Sequence, residues 1–156
     1  MRNKKRILSS KNKIILVVFF LAVSCLPGVA FADQNWFEGA EGYAQGRAEA
    51  VSSHKPMMVF FYTDWCGYCR KFNKNVLAKP EVQKALSGFI KIRVNPEKGA
   101  RENQLADQYR IDGFPSVYFE NPSSGNAIQD LSGATASAKR FEHAAQSFAE
   151  QSGIKK

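Results

Sequence analysis

The sequence predicts an α/β fold with one central mixed sheet, part parallel and part antiparallel, and helices on both faces. An apolar run at residues 57–63 has the length and continuity of a strand that is buried on both faces. A helix-patterned segment lies between this strand and the next, which implies a parallel crossover connection. A dense turn sequence at residues 121–126 separates the last two strands, which implies an antiparallel hairpin.

Residues 1–32 have the features of a cleaved signal peptide, with a basic start, an apolar run from Ile14 to Val23 and small residues up to Ala32. The uninterrupted run is shorter than the ~20 residues of a spanning helix. A retained membrane anchor and a lipoprotein acylated at Cys25 are the alternatives. We therefore expect one domain at residues 33–156, in the periplasm or another extracytoplasmic compartment where disulfides persist.

The charge of the chain gives no case for nucleic-acid binding. The whole sequence carries 22 Lys and Arg against 14 Asp and Glu, a net charge of +8. Six of the cations and none of the acids lie in the predicted signal peptide, so the mature chain keeps 16 cations against 14 acids. The basic character belongs mostly to the leader, and no nucleic-acid partner is expected.

The elements of the mature chain follow from hydrophobic periodicity and turn residues. The first helix contains three glycines, each of which costs about 1 kcal/mol relative to alanine, so its packing must stabilise it. Its apolar stripe is Trp36, Ala40, Tyr43, Ala44, Ala48 and Val51. The predicted elements are, in order, a helix at 33–53, a strand at 57–63, a helix from 66 that Pro80 interrupts, a strand at 89–94, a helix at 101–109, strands at 116–119 and 127–131, and a helix capped by Thr135 or Ser137.

Inward faces can be assigned to two of these helices. After the cysteines, Phe72, Val76 and Leu77 form an apolar face, and Val82 and Leu86 continue it beyond Pro80. The final helix is predicted to turn four residues inward, namely Phe141, Ala145, Phe148 and Ala149.

Two cysteines, Cys66 and Cys69, stand where the apolar strand gives way to a helix. A pair at this spacing can close a small disulfide ring and reopen it. The helix start favours the thiolate form of Cys66 through its dipole and its free N–H groups. Half of a zinc site and an inert structural disulfide are the alternatives, although no second pair of ligands is evident for a metal. We expect no metal and no cofactor other than a redox-active Cys66–Cys69 disulfide.

Two motifs carry a resemblance to a known family. Trp65-Cys66-Gly67-Tyr68-Cys69 follows a buried strand, and Gly113-Phe114-Pro115-Ser116 precedes a hydrophobic strand. Together they resemble the thioredoxin superfamily over nearly the whole mature chain. The more specific likeness is to bacterial periplasmic members, namely the C-terminal domain of the thiol:disulfide interchange protein and, in the Cys-Gly-Tyr-Cys sequence, the periplasmic disulfide isomerase. The resemblance implies a thioredoxin fold with a cis-proline at Pro115 against the disulfide.

The sequence departs from the family pattern at two positions. Thioredoxin has a buried acid six residues before its first active cysteine, and that position here is Phe60. The acid is thought to assist proton transfer at the second cysteine, so fast reductase cycling is in question. The residue before the cis-proline is Phe114, which is bulkier than the threonine, valine or isoleucine of relatives and should affect which partners dock.

The resemblance implies an extracytoplasmic enzyme that reduces or isomerises protein disulfides. Cys66, expected to be reachable by other proteins, would attack a substrate disulfide, and Cys69, one helical turn further in and less exposed, would resolve the mixed disulfide. The residues expected to shape the substrate site are Trp65, Gly67, Tyr68, Phe114 and Pro115. Implied partners are proteins with disulfides or thiols and a membrane thiol-redox protein, with the enzyme itself a monomer. A dithiol oxidant and a peptide-binding or chaperone module with a secondary redox role are the alternative functions.

Overall fold

The computed structural model describes residues 36–124, 126–129 and 137–152. The predicted signal peptide at 1–32, the lipoprotein candidate Cys25 and the possible cap Thr135 lie outside the described residues. Within the described part of the chain, no helix is long and apolar enough to cross a membrane.

A five-stranded sheet forms the centre of the fold, in the order β1-β3-β2-β4-β5. Both β1 and β2 pair with β3 in parallel, whereas β4 pairs with β2 and with β5 in antiparallel fashion. The mixed sheet predicted from the sequence is therefore confirmed. The strands are β1 Trp36–Glu38, β2 Met57–Phe61, β3 Ile90–Val94, β4 Ser116–Asn121 and β5 Asn126–Gln129.

Five α-helices and three shorter turns are described around this sheet. The helices are α1 Gly39–Ser53, α2 Gly67–Phe72, α3 Pro80–Ala85, α4 Ala100–Gln108 and α5 Ala138–Gln151. A π-helical turn at Asn73–Leu77 extends α2, and 3-10 turns occupy Leu86–Gly88 and Pro96–Lys98. Of the two caps predicted for the last helix, Ser137 has this role, since its side chain accepts a hydrogen bond from the Arg140 N–H at 3.3 Å.

The sheet separates two hydrophobic cores, and the central strand β2 contributes to both. Met58 and Phe60 point into a core that also contains both cysteines, which we call the disulfide core. Met57, Val59 and Phe61 point into a second core on the other face, which we call the opposite core. This alternation explains why β2 reads as an uninterrupted apolar run.

Each core is covered by its own helices. Residues of α2, α3 and α5 fill the disulfide core, whereas α1 and α4 cover the opposite core. Most of the predicted inward residues are buried there: Phe72, Val76, Leu77, Val82, Leu86, Phe141, Ala145 and Phe148. Helices on both faces of the sheet, as predicted, are thus confirmed, although Ala149 is only half-buried.

The prediction of a helix beginning at residue 33 is wrong over its first described residues. Trp36–Glu38 is a strand, β1, and its residues pair with Lys91, Ile92 and Arg93 at the edge of the sheet. A three-residue strand is too short to show an alternating pattern, so the sequence signal merged with that of the helix that follows.

The predicted apolar stripe of α1 is correct only in part: Ala40 is buried and Tyr43 is half-buried against the opposite core, but the other three helix positions are not. Ala44, Ala48 and Val51 are exposed. The buried face consists of Ala40, Gly42, Gly46 and Ala50. A β-carbon on Gly46 would lie 2.9 Å from the Cδ1 of Ile92, which is too close for a larger residue. The glycines therefore form the packing surface of α1, because their small size lets the helix approach the sheet.

Candidate redox site

The two cysteines lie directly after β2 and are joined by a disulfide with a Cα–Cα distance of 5.2 Å. Cys66 is the N-cap residue of α2, and its Sγ accepts a hydrogen bond from the Cys69 N–H at 3.0 Å. The Cys66 N–H donates to the Thr63 carbonyl oxygen at 3.2 Å, which folds the motif back onto the end of the strand. A backbone donor at the Cys66 sulfur stabilises a thiolate when the disulfide is reduced.

Access to Cys66 differs from the sequence expectation. The leading cysteine should be reachable and the second one more enclosed, yet Cys66 is 3 % exposed and Cys69 is 2 % exposed. Both belong to the disulfide core. The disulfide joins the sulfur of Cys66 to that of Cys69, whose side chain packs inside this core. In the disulfide form, a partner therefore meets the residues around Cys66 before it meets the sulfur.

Those surrounding residues are largely exposed aromatic groups. Trp65 is 66 % exposed and Tyr68 is 57 % exposed, and Gly67 between the cysteines is exposed as well. Trp65 is therefore not a core residue. The ammonium group of Lys71 lies 5.6 Å from the centre of the Tyr68 ring.

A second segment, residues 113–116, lies beside the cysteine motif. The Phe114–Pro115 peptide bond is cis, and Pro115 is buried. Ser116 pairs with Phe61 at the end of β2 from which the motif emerges. The ring of Phe114 contacts the ring of Trp65 edge-on, with 6.4 Å between their centres. The sheet register thus brings together two motifs that lie about 50 residues apart in the sequence.

A third segment, Pro96–Lys98, was not singled out by the sequence. The indole N–H of Trp65 donates to both carboxylate oxygens of Glu97, at 2.9 and 3.1 Å. The Lys98 ammonium forms an ion pair with Asp64 at 2.5 Å. The hydrogen bond from Lys98 lowers the pKa of the Asp64 carboxyl, and the same contact raises the pKa of Lys98. Charged residues in a loop have no periodicity, so no pattern in the sequence pointed to these contacts.

Phe60 occupies the position of the family's buried acid and is packed among other aromatic rings. Its ring centre lies 5.7 Å from that of Tyr62, 5.8 Å from that of Phe72 and 6.3 Å from that of Trp36. Within the described part of the chain, the buried acid is Glu120. Glu120 pairs with Met57, the first residue of β2, and so lies at the end of the strand away from the cysteines.

The described residues also bear on metal binding. Among residues 36–124, 126–129 and 137–152, no group of three or more His, Cys, Asp and Glu side chains is placed to hold a metal ion. A cysteine pair without further ligands does not provide the four that a structural zinc site uses.

Comparison with known proteins identifies a matching family model and related proteins. A family model described as a thioredoxin-like domain matches residues 43–149. The thiol:disulfide interchange protein DsbD of Photorhabdus laumondii is 32% identical over 80 residues, which is 51% of this chain and 14% of that protein. A putative protein disulfide-isomerase of Dictyostelium discoideum is 36% identical over 87 residues, 52% of this chain and 19% of that protein. The matched regions are thus small parts of both relatives.

Solved structures have the same architecture. A thioredoxin from Thermus thermophilus has a TM-score of 0.64 at 24% identity, covering 76% of this chain and 88% of that chain. The oxidised C-terminal domain of DsbD from Neisseria meningitidis has a TM-score of 0.59 at 26% identity, covering 71% and 97%. The first likeness concerns the fold alone, whereas the second matches nearly the whole of a domain that has also been solved in its reduced form.

Proposed function

This chain belongs to the thioredoxin-like family, and we propose on that basis that Cys66 and Cys69 form a dithiol that reduces or isomerises disulfides in other proteins. The similarity to DsbD and to a disulfide isomerase supports protein disulfide oxidoreductase activity. The observation that carries the proposal is the Cys66–Cys69 disulfide itself, at a helix start and beside exposed aromatic residues.

The proposed reaction starts from the reduced enzyme. The Cys66 thiolate attacks one sulfur of a substrate disulfide, forms a mixed disulfide and releases the other substrate sulfur as a thiolate. The Cys69 thiolate then attacks the Cys66 sulfur, which re-forms the Cys66–Cys69 bond and releases the second substrate thiolate. Two electrons pass from enzyme to substrate. In isomerisation, a substrate thiol attacks the mixed disulfide instead, and the enzyme leaves in its reduced form.

The backbone around Cys66 supports its role as the attacking group. The Cys69 N–H that reaches Cys66 is one of the free donors at the start of α2, and it favours the anionic sulfur. Among the described residues no buried acid lies beside Cys69, and Phe60 fills the position of the family's acid. We infer that the thiolate released from the substrate, or solvent, takes the Cys69 proton as the mixed disulfide is resolved.

Five residues are proposed to shape the substrate site: Trp65, Gly67, Tyr68, Phe114 and Pro115. The exposed rings of Trp65 and Tyr68 offer apolar contacts to an unfolded or partly folded chain. Pro115 has no N–H, so its backbone does not compete for the sulfurs. The backbone of Phe114 can pair with an extended substrate peptide, as in strand addition.

The cellular setting is part of the proposal. We infer that residues 1–32 are removed as a signal peptide, so that residues 33–156 act as a monomer in the periplasm or an equivalent compartment. A membrane thiol-redox protein is the proposed source of electrons, because a reductase there must be kept reduced against an oxidising surrounding. Proteins with disulfides are the proposed substrates.

Trapping the mixed disulfide tests the function. Purified Cys69→Ser, reduced and mixed with insulin, should form a covalent complex that dithiothreitol dissolves, because the resolving sulfur is missing. Cys66→Ser is the matched control and should trap nothing. In wild-type protein, insulin reduction with dithiothreitol as electron source should exceed the uncatalysed rate, and Cys66→Ser should abolish the excess. Full activity in Cys66→Ser would refute the assignment.

A measured reduction potential separates the reductase from the alternative oxidant. A value near ~−270 mV is typical of thioredoxin, whereas ~−120 mV is typical of a strong disulfide donor. Thiol trapping in intact cells adds the physiological state: the proposed reductase or isomerase should have Cys66 and Cys69 mostly reduced.

A further inference from the structure

Glu97 lies about 30 residues beyond the cysteine motif but is joined to it through Trp65. Its two carboxylate oxygens accept the indole N–H at 2.9 and 3.1 Å. Trp65 is two-thirds exposed, and an exposed side chain is ordinarily free to change rotamer. Here a charged acceptor holds its polar edge, and such hydrogen bonds are stronger than those between neutral groups.

The adjacent residues make a parallel contact. Lys98 forms its ion pair with Asp64, so two successive residues of one turn contact two successive residues ahead of Cys66. We call these four residues (Asp64, Trp65, Glu97 and Lys98) the two-link bridge. Because both contacts involve the same pair of segments, each one limits the motion of the other.

Both ends of the two-link bridge are anchored to the backbone. On one side, the Asn95 side-chain oxygen accepts the Glu97 N–H at 3.0 Å, and the Asn95 carbonyl accepts the Lys98 N–H at 3.1 Å. On the other side, the Arg70 guanidinium donates to the Asp64 carbonyl oxygen at 3.1 Å. The backbone at Glu97 and Lys98 is therefore held in place before any substrate arrives.

The indole of Trp65 meets Phe114 as well as Glu97. The ring contact with Phe114 places Trp65 between the Pro96–Lys98 turn and the residue that precedes Pro115. These two rings form an aromatic wall beside Cys66, whose sulfur is nearly inaccessible in the disulfide form. The orientation of the indole therefore affects what can reach that sulfur.

We propose that Glu97 is a positioning residue that holds the Trp65 indole against Phe114, so that the aromatic wall is already formed for an extended protein substrate at Cys66. The inference rests on the proposed function. A protein substrate covers the aromatic wall and binds more tightly because the wall is already ordered. A small disulfide reaches the Cys66 sulfur with little contact to the wall. Loss of the Glu97 carboxylate should therefore weaken the binding of protein substrates selectively, since the Trp65 indole must then be ordered when the substrate binds.

The experiment uses a Trp36→Phe background, in which Trp65 is the sole tryptophan, because the sequence contains two. Glu97→Ala removes the acceptor, and Glu97→Gln retains an acceptor oxygen without charge. Glu81→Ala, at an exposed glutamate of α3, is the matched control. For each protein, tryptophan anisotropy is measured together with kcat and KM for insulin and for hydroxyethyl disulfide.

Glu97→Ala should lower the anisotropy and raise the KM for insulin on the order of 3- to 10-fold, the cost of ordering one side chain on binding. Its kcat/KM for hydroxyethyl disulfide should stay within about twofold of the parent, Glu97→Gln should restore much of the insulin KM, and Glu81→Ala should match the parent. An equal fall for both substrates would show a structural role only, and an unchanged insulin KM with a mobile indole would also overturn the inference. Lack of insulin reduction in the parent would instead refute the proposed function, before any Glu97 variant is compared.

Discussion

Gly42 of α1 touches the backbone of Phe37 in β1 so closely that a β-carbon on Gly42 would lie 2.8 Å from the Phe37 carbonyl carbon. The obstacle is main chain, which cannot rotate away as a side-chain end can. Helix and edge strand therefore meet through their backbones at this point.

Gly42→Ala should destabilise the protein by about 1–3 kcal/mol, the usual cost of overpacking. The sign is informative, because glycine to alanine in a helix interior normally stabilises by about 1 kcal/mol. Urea unfolding measures the change. Ala48→Gly, on the exposed face of the same helix, is the control and should lose only the propensity difference of about 1 kcal/mol. A more stable Gly42→Ala protein would contradict the close contact.

Tyr109→Phe should lower the free energy of unfolding by about 1–3 kcal/mol, because the buried carboxylate of Glu120 loses a hydrogen-bond donor. Urea unfolding near pH 7 tests this. Tyr43→Phe removes a hydroxyl that contacts the Tyr109 hydroxyl at 2.9 Å but leaves the Arg47 and Tyr109 donors to Glu120 in place, and it should cost less. Equal losses in the two variants would place the energy in the tyrosine pair rather than at Glu120.

Tyr109 should also make the free energy of unfolding depend on pH in alkaline solution. Burial, and then the hydrogen bond to Glu120, raise the pKa of the Tyr109 phenol well above its usual value. Above pH ~10 the unfolded chain loses this proton and the folded chain keeps it, so stability falls as pH rises. Wild-type protein should lose stability more steeply than Tyr109→Phe in this range. Parallel curves of unfolding free energy against pH for the two proteins would mean that the Tyr109 phenol has the same pKa in the folded and the unfolded chain.

Lys98→Met should return the pKa of the Asp64 carboxyl toward its ordinary value, because the hydrogen bond from Lys98 is the main cause of its depression. Because the pKa of Asp64 is lowered in the folded chain, its carboxylate stabilises the fold at pH values above the ordinary carboxyl pKa. This stabilisation is lost as the pH falls through the lowered pKa. Carbon-detected NMR titration of Asp64 measures it directly. An unchanged Asp64 titration in Lys98→Met would show that the ion pair does not form in solution.

Phe60→Asp should destabilise the protein by about 3–5 kcal/mol, because a large ring is lost from the disulfide core and a carboxyl is buried without a partner. Phe60→Leu keeps the position apolar and should cost less. Insulin reduction by Phe60→Leu should remain near the wild-type rate, since the ring has no part in proton transfer. A large loss of kcat in a folded Phe60→Leu protein would assign the ring a role in the reaction.

The sequence predicted the helices and strands that have a clear apolar pattern and the site residues that lie together in one short motif. The continuous apolar run before Cys66 located the central strand, and the helix faces around Phe72 and Phe141 followed from their spacing. The position of Phe114 and Pro115 beside the cysteine motif was expected from the family resemblance rather than from periodicity. The register of Ser116 with Phe61 in the sheet accounts for it.

The features that the sequence did not predict depend on contacts between distant segments. Strand β1 exists because the edge of β3 is open to pairing, which three residues alone cannot signal. Gly42 was counted as a cost to the helix, although its missing side chain is what allows the contact with Phe37. Glu97 meets Trp65 only because two loops converge at the carboxyl ends of neighbouring strands. The enclosure of Cys66 likewise follows from tertiary packing.

Both cysteines belong to the disulfide core, and the sheet stands between them and the opposite core. Opening the Cys66–Cys69 bond should therefore perturb α2 and α5 while α1 and α4 stay unaffected. Amide hydrogen exchange in the two redox states would then differ on one face of the molecule alone. A partner that contacts that face could distinguish oxidised from reduced protein by shape, whereas a partner on the other face would bind both forms equally.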